Sequence, residues 1–176
     1  MTGGHPAPDP AGPGQESVWD YPRPPVVQPS DELVEVWFGG QLVARTGTPL
    51  RLLETSHPPT YYLPRSCFAD GVLRPVSGST VCEWKGRADY FDVVAGGQVA
   101  ERAAWHYPRP VAGYESLVGH VAVMPGSMDG CVVDGERVRP QAGGFYGGWI
   151  TDRVVGRSRA GPVVDSGEHL PAPLLA

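Results

Sequence analysis

The chain has 176 residues and a formal net charge of −5, with no basic stripe, so a nucleic-acid backbone is not an expected partner. Its length is one domain's worth, enough to bury a core without staples, and no run approaches the roughly 20 apolar residues of a membrane span. Three cysteines, Cys67, Cys82 and Cys131, include no C-x-x-C pair, which argues against a disulfide framework and a thiolate zinc site and points to a reducing cytoplasm.

Glycine and proline set the fold class. There are 24 glycines and 20 prolines, and the longest run without either is Gln98 to Tyr107. An average helix needs about 11–12 residues, and an interior glycine or proline costs it roughly 1–3 kcal/mol. The chain is therefore expected to be all-β, built from two small, mostly antiparallel sheets with many turns and little helix. Residues 1–15 are Pro/Gly-rich with no basic start and no apolar run, so a disordered tail is expected rather than a signal peptide. Residues 16–156 then read as a single domain, and 157–176 as a loose C-terminal tail.

Taken in order, Glu16 to Val27 is an extended, proline-rich strap that cannot be a central strand. Leu33–Phe38 and Gln41–Arg45 flank Gly39-Gly40, a hairpin signal because a type I′ turn needs φ > 0 at both central positions. Leu50–Glu54 continues the sheet or makes one helical turn. Thr55 to Pro59 then breaks the chain, with His57 pushed out of the helical region by Pro58. Thr60–Leu63 is a short strand, and Ser66–Asp70 a brief helical turn. Thr80–Lys85 reads as a strand whose period of two sends Cys82 and Trp84 to a packing face and Glu83 and Lys85 to a polar one.

Arg87–Ala95 and Gln98–Trp105 form a second hairpin about Gly96-Gly97. Simple register there opposes Asp92 and Glu101, so either a bulge moves the register or the pair sits at a wet edge. A third hairpin turns at Asp134-Gly135. Gly143 to Trp149 is a glycine-rich aromatic loop, and Trp149–Val155 a last strand. Two echoes run through the chain. Trp19-Asp20-Tyr21-Pro22-Arg23-Pro24 matches Trp105-His106-Tyr107-Pro108-Arg109-Pro110, and the hairpin at Gly39-Gly40 resembles that at Gly96-Gly97. Their order differs between the halves, so this is not a tandem repeat.

The candidate chemistry gathers in a few places. Glu83 and Lys85, on one strand face, are either an acid/base pair or a solvent-facing ion pair. His57 sits on a stiff loop, three residues after Glu54 and four before Tyr61, where sites often form. The five histidines show no ligand spacing, so no metal site is expected. Cys82 alternates onto the packing face and reads as inert. The Gly143–Trp149 run lacks the Lys-Ser/Thr and helix start of a phosphate loop. Trp19, Tyr21, Trp105 and Tyr107 either line a flat apolar pocket or act as lids.

The segments LETSHPPTYYLP, CEWKGRADYFDV, AAWHYPRP and VDGERVRPQAGGFYGGWIT together resemble the domain-of-unknown-function 427 family, from about Glu16 to Gly156. The resemblance implies a compact all-β domain of the β-tent type, the architecture of methionine sulfoxide reductase B and the cereblon thalidomide-binding domain. It brings no established reaction. A nucleotidyltransferase label is sometimes attached to the family, but the chain has neither a phosphate loop nor a metal-binding acidic pair. Many β-tent relatives carry zinc on two C-x-x-C knuckles that are absent here. Family members usually close with a Gly-Pro-Gly-Thr segment and a late Trp, whereas here Gly161-Pro162 runs into Val163-Val164-Asp165.

The expected function is a metal-independent, cofactor-free enzyme acting on a small molecule. Glu54 or Glu83 is the acid/base, Lys85 holds an anionic group, and His57 and Tyr61 orient the substrate. Trp84, Trp105, Tyr107, Tyr146 and Trp149 line the pocket. The alternatives are a non-catalytic module using the aromatics as a ligand cage, and a partner-binding domain. A homodimer remains open; a membrane partner is not expected.

Overall fold

A computed structural model describes residues 10–142 and 147–156. The strands in chain order are β1 (Glu16–Ser17), β2 (Val26–Pro29), β3 (Val34–Phe38), β4 (Gln41–Thr46), β5 (Leu50–Leu53), β6 (Thr60–Pro64), β7 (Leu73–Cys82), β8 (Gly86–Ala95), β9 (Gln98–His106), β10 (His120–Val123), β11 (Gly130–Val133), β12 (Glu136–Arg137), β13 (Arg139–Pro140), β14 (Trp149–Ile150) and β15 (Val154–Val155). Among the described residues the only helical pieces are single 3-10 turns. The all-β expectation holds, as the density of glycine and proline requires.

Seven strands form the larger sheet, in the order β2-β5-β6-β10-β9-β8-β7, and four the smaller, β12-β11-β3-β4. All pairings within these two sheets are antiparallel. The inner strands of the larger sheet are buried on both faces, while its edge strands β2 and β7 are largely exposed. Along β6, Tyr61 and Leu63 enter one apolar cluster while Tyr62 enters the other; along β8, Phe91 and Val93 take the first side and Ala88 and Tyr90 the second. The first cluster lies between the two sheets, where Val34, Val36, Phe38, Val43, Cys131 and Val133 of the smaller sheet meet it. The second holds Leu50, Leu52, Trp105, Tyr107, Tyr114 and Leu117, so the segment after β9 covers that face. This double burial explains why β5 and β6 read as nearly continuous apolar runs rather than alternating ones.

The three hairpins turn where the sequence places them, with φ of 60° and 71° at Gly39-Gly40, 56° and 74° at Gly96-Gly97, and 48° and 81° at Asp134-Gly135. The hairpin echo has a structural meaning. The two Gly-Gly turns lie back to back, close enough that a Cβ on Gly39 would fall on the Ala95 carbonyl, and one on Gly96 on the Gly39 carbonyl. The opposition of Asp92 and Glu101 is relieved by a bulge. The β8–β9 register shifts between Phe91 and Val93, and Arg102 takes a left-handed φ of 50°. Asp92 accepts from the Arg102 backbone N–H at 2.8 Å and from the Arg74 guanidinium at 2.8 Å.

The aromatic-strap echo does not hold. Trp105 lies inside β9 and is fully buried, whereas Trp19 sits on a 3-10 turn, Val18–Asp20. Tyr21 is buried and donates to Glu16 at 2.7 Å. Glu16 also meets the fully buried Arg51 at 2.7 Å and Arg153 at 2.9 Å, while Glu32 takes Arg153 at 3.1 Å and the Tyr61 hydroxyl at 2.9 Å. Parallel pairing of β1 with β15 completes this clasp between both ends of the domain. Residues 10–15, expected within the disordered tail, include a turn closed by Gln15 N–H to Gly12 O, with the Gln15 side chain on the Asp152 carbonyl. The single last strand expected over Trp149–Val155 is instead two separate short strands, β14 and β15. Residues 1–9 and the tail beyond 156 lie outside the described residues.

Candidate functional site

The segment read as a strand ending at Lys85 is a hairpin turn. Cys82 pairs with Gly86, leaving Glu83, Trp84 and Lys85 as a three-residue loop, and Gly86 takes φ +106° to re-enter β8. Period-two alternation does not survive a turn, so the faces reverse. Trp84, expected inside, is 37% exposed, and Glu83 is exposed as well. Lys85, expected on a polar face beside Glu83, is fully buried. Its carbonyl accepts from the Val111 N–H at 2.8 Å, which ties the turn to the segment covering the second core.

The Lys85 ammonium lies 5.5 Å from the centroid of the Tyr107 ring, a cation–π distance. Burial drives its pKa down to about 8, and the nearby Cys82 thiol and Glu54 carboxylate offset only part of that. Glu54, just beyond β5, is mostly buried and also faces Arg23 at 3.8 Å. Its carbonyl accepts from the His57 N–H at 3.1 Å. The break at His57-Pro58-Pro59 thus returns the chain past Glu54 before β6 begins.

Around this pair the aromatic wall is continuous. Trp105 Nε1 donates to the Tyr62 hydroxyl at 3.3 Å, and the Tyr62 and Tyr107 rings are 6.4 Å apart. Burial pushes both tyrosine hydroxyls far above their usual range. The Tyr107 hydroxyl is buried with no well-formed hydrogen bond among the described residues, although the Tyr62 hydroxyl is near enough to perturb it. His57 Nδ1 is 3.5 Å from Gln141 Nε2, and Gln141 N–H donates to Gly148 O. Gly147 lies so close to the Trp105 ring that a Cβ would strike it.

The fold therefore gathers Glu54, Lys85, Trp105 and Tyr107, sets the His57 ring beside Gln141, and leaves the other candidates elsewhere. Glu83 and Trp84 face outward on the turn. Tyr61 and Trp149 lie on the opposite side of the larger sheet, in the first core, with ring centroids 4.9 Å apart. Tyr61 is committed to Glu32. Tyr146 lies outside the described residues. Sequence reasoning missed Tyr62 and Gln141. Alternation along β6 could have found the first, since it puts Tyr62 opposite Tyr61. Nothing in the sequence singles out Gln141.

The family described as a domain of unknown function, DUF427, matches residues 26–134, well over half of the chain. The chain belongs to the DUF427 family. The match takes in Glu54, His57, Lys85, Trp105 and Tyr107 and stops before Gln141 and Trp149. No curated protein matches this DUF427 chain. Membership brings no activity with it, so the chemistry has to come from the side chains.

Proposed function

We propose that the chain binds a small molecule against the Tyr107–Trp105 wall and acts on it by acid–base chemistry at Lys85 and Glu54. The observation that carries this reading is a fully buried lysine on an aromatic ring, within electrostatic reach of a mostly buried carboxylate. A lysine with a pKa near 8 holds a sizeable neutral fraction at physiological pH and can take or give a proton there. Glu54 is its carboxylate partner and the more accessible of the two. The Tyr107 hydroxyl, buried without a formed hydrogen bond, supplies a polar contact for a ligand. His57, steadied by Gln141, orients the ligand at the rim. Glu83 has no part in this reading. The chemistry proceeds without a metal or cofactor, and the three free cysteines favour a reducing cytoplasm.

The test is tryptophan fluorescence with a panel of small metabolites, followed by NMR detection of turnover for any hit. Hits should lose affinity or turnover in Lys85→Met and Glu54→Gln and keep both in Glu83→Gln. Equal behaviour of Lys85→Met and wild type sinks the assignment. A second reading, a protein-interaction module, draws on the same turn from outside. Val81 is 77% exposed, Trp84 37% and the adjoining Val111 46%, an apolar tip that a partner could cover. Binding without turnover, or loss of a partner in Trp84→Ala alone, favours that reading.

A further inference from the structure

A pocket lies at the edge of the larger sheet, beside the bulge in β7. It has a volume of about 260 Å³ and is lined by Arg65, Ser77, Gly78, Ser79, Arg87 and His106, among others. Its construction follows from the register. Arg87, Asp89 and Phe91 alternate along β8 and so share a face, and Asp89 stands between Ser79 on one side and His106 on the other. This is the face of Phe91, opposite the one that carries Tyr107 and Trp105.

Phe91 forms the floor. The Arg65 guanidinium sits 4.9 Å from its ring centroid and the His106 ring 4.8 Å. Two groups that are, or can become, cationic are thus stacked on one apolar ring. Among the described residues Asp89 is the only carboxylate lining the pocket, and Arg87 holds it by two contacts, at 2.9 and 3.4 Å. Arg65 has no ion pair among the described residues. Burial, together with the Arg65 charge, holds the His106 pKa below its usual value, while Asp89 opposes that.

The bulge supplies the remaining wall. The β7–β8 register shifts between Val76 and Ser79, which leaves Ser77 and Gly78 out of the ladder. Gly78 takes φ +94°, and Arg102 braces the loop from behind by donating to Ser77 O at 3.0 Å. Two serines and a kinked, partly unladdered backbone therefore line a pocket whose positive charge is only partly balanced.

We propose that this pocket binds a phosphate group, free or as the monoester of a small molecule, through Arg65, His106 and the Ser77–Ser79 bulge. A tetrahedral dianion matches a guanidinium, an imidazolium and short hydroxyl donors that line one pocket. The volume exceeds what a bare phosphate fills and leaves room for a small ester group. Binding draws a proton onto His106, because the dianion offsets the repulsion from Arg65. The site is independent of Lys85 and stands whether or not that lysine is catalytic.

The experiment is a titration of the full-length, isotope-labelled chain by NMR, with inorganic phosphate and glycerol 3-phosphate in separate arms at constant ionic strength. Saturable shifts are expected at Ser77, Gly78, Ser79 and the His106 ring, with a rise in the His106 pKa, read against its neighbours Arg65, Arg87, Asp89 and Tyr90. The tighter of the two ligands identifies the source of the phosphate. Arg65→Gln, an exposed substitution that should keep the wild-type spectrum elsewhere, should weaken binding about tenfold or more, the loss of a charged hydrogen bond. Shifts that never saturate, that match those given by chloride, or that are unchanged in Arg65→Gln overturn the proposal.

Discussion

Four glycines provide a controlled test of how the two sheets meet. Gly39, Gly40, Gly96 and Gly97 all have positive φ, between 56° and 74°. Alanine at any of them carries the left-handed penalty, about 1–2 kcal/mol. Space separates them. A Cβ on Gly40 or Gly97 meets nothing within 4 Å, while one on Gly39 or Gly96 lands on backbone of the opposing turn, which cannot swing aside as a side chain can. Overpacking of that kind adds about 1–3 kcal/mol. Gly40→Ala and Gly97→Ala should therefore cost about 1–2 kcal/mol, and Gly39→Ala and Gly96→Ala about 2–5 kcal/mol. In a chain of this size each kcal/mol moves Tm by about 2–4 °C. Calorimetry and urea unfolding of the four variants measure the difference. The double variant Gly39→Ala/Gly96→Ala should lose less than the sum, because a turn already displaced makes room for the second methyl. If Gly39→Ala and Gly40→Ala agree within about 0.5 kcal/mol, the turns do not touch in solution and the account of the apex is wrong.

Three further outcomes follow from buried polar groups. Burial alone would raise the Glu16 carboxyl, but its hydrogen bonds to Arg51 and Tyr21 hold it down to about 2. Its contribution is therefore complete above pH 4.5 and lost as pH falls toward 2; Glu16→Gln should cost at least about 2 kcal/mol at neutral pH and flatten the acid limb of the stability curve. Lys85 shifts in the same direction, but its buried charge lowers stability at neutral pH where that of Glu16 raises it. Its folded pKa of about 8 lies below the ordinary 10.5, so the folded chain binds fewer protons than the unfolded chain between those values. Wild-type stability should then rise by about 3 kcal/mol relative to Lys85→Met from pH 8 to 10.5, as read by denaturant titration at stepped pH. Tyr107→Phe removes a buried hydroxyl that makes no well-formed hydrogen bond, so it should be neutral or stabilising by up to about 1 kcal/mol; a clear loss in thermal unfolding would show the hydroxyl already satisfied.

Much of the fold was legible because glycine and proline act locally. The dipeptides at 39–40, 96–97 and 134–135 each need positive φ at two successive positions, and each became a turn. The clash of Asp92 with Glu101 was legible as a conflict, and the bulge at Arg102 is its resolution. What composition could not carry was contact between distant pieces. The Gly39–Gly96 apposition is one such contact. The clasp of Glu16, Arg51, Glu32 and Arg153 is another, since no spacing in the sequence connects those four residues. The Trp-x-Tyr-Pro-Arg-Pro echo misled for the same reason: the same six-residue pattern ends a core strand at Trp105 and makes an edge turn at Trp19, because strand pairing fixed the first and the Arg51 clasp the second.

The candidate site was half legible, and the missing half turns on one residue count. Val81-Cys82-Glu83-Trp84-Lys85-Gly86 opens on a β-branched residue and alternates apolar with charged from Cys82 to Lys85, which reads as strand. Yet Gly86 follows a three-residue gap after Cys82, and a glycine with positive φ at the end of such a gap is how three-residue hairpin loops close. Reading Gly86 as part of the turn moves Lys85 from a strand face to the loop position beside Val111. There its neighbours are Tyr107, Cys82 and Glu54 rather than water. A lysine lodged in that place costs stability at neutral pH, whereas a methionine of similar length would not. A pKa brought down to about 8 by burial against the Tyr107 ring is what makes the acid–base role proposed for Lys85 accessible to the Lys85→Met comparison, at a position that strict strand alternation would have left in solvent.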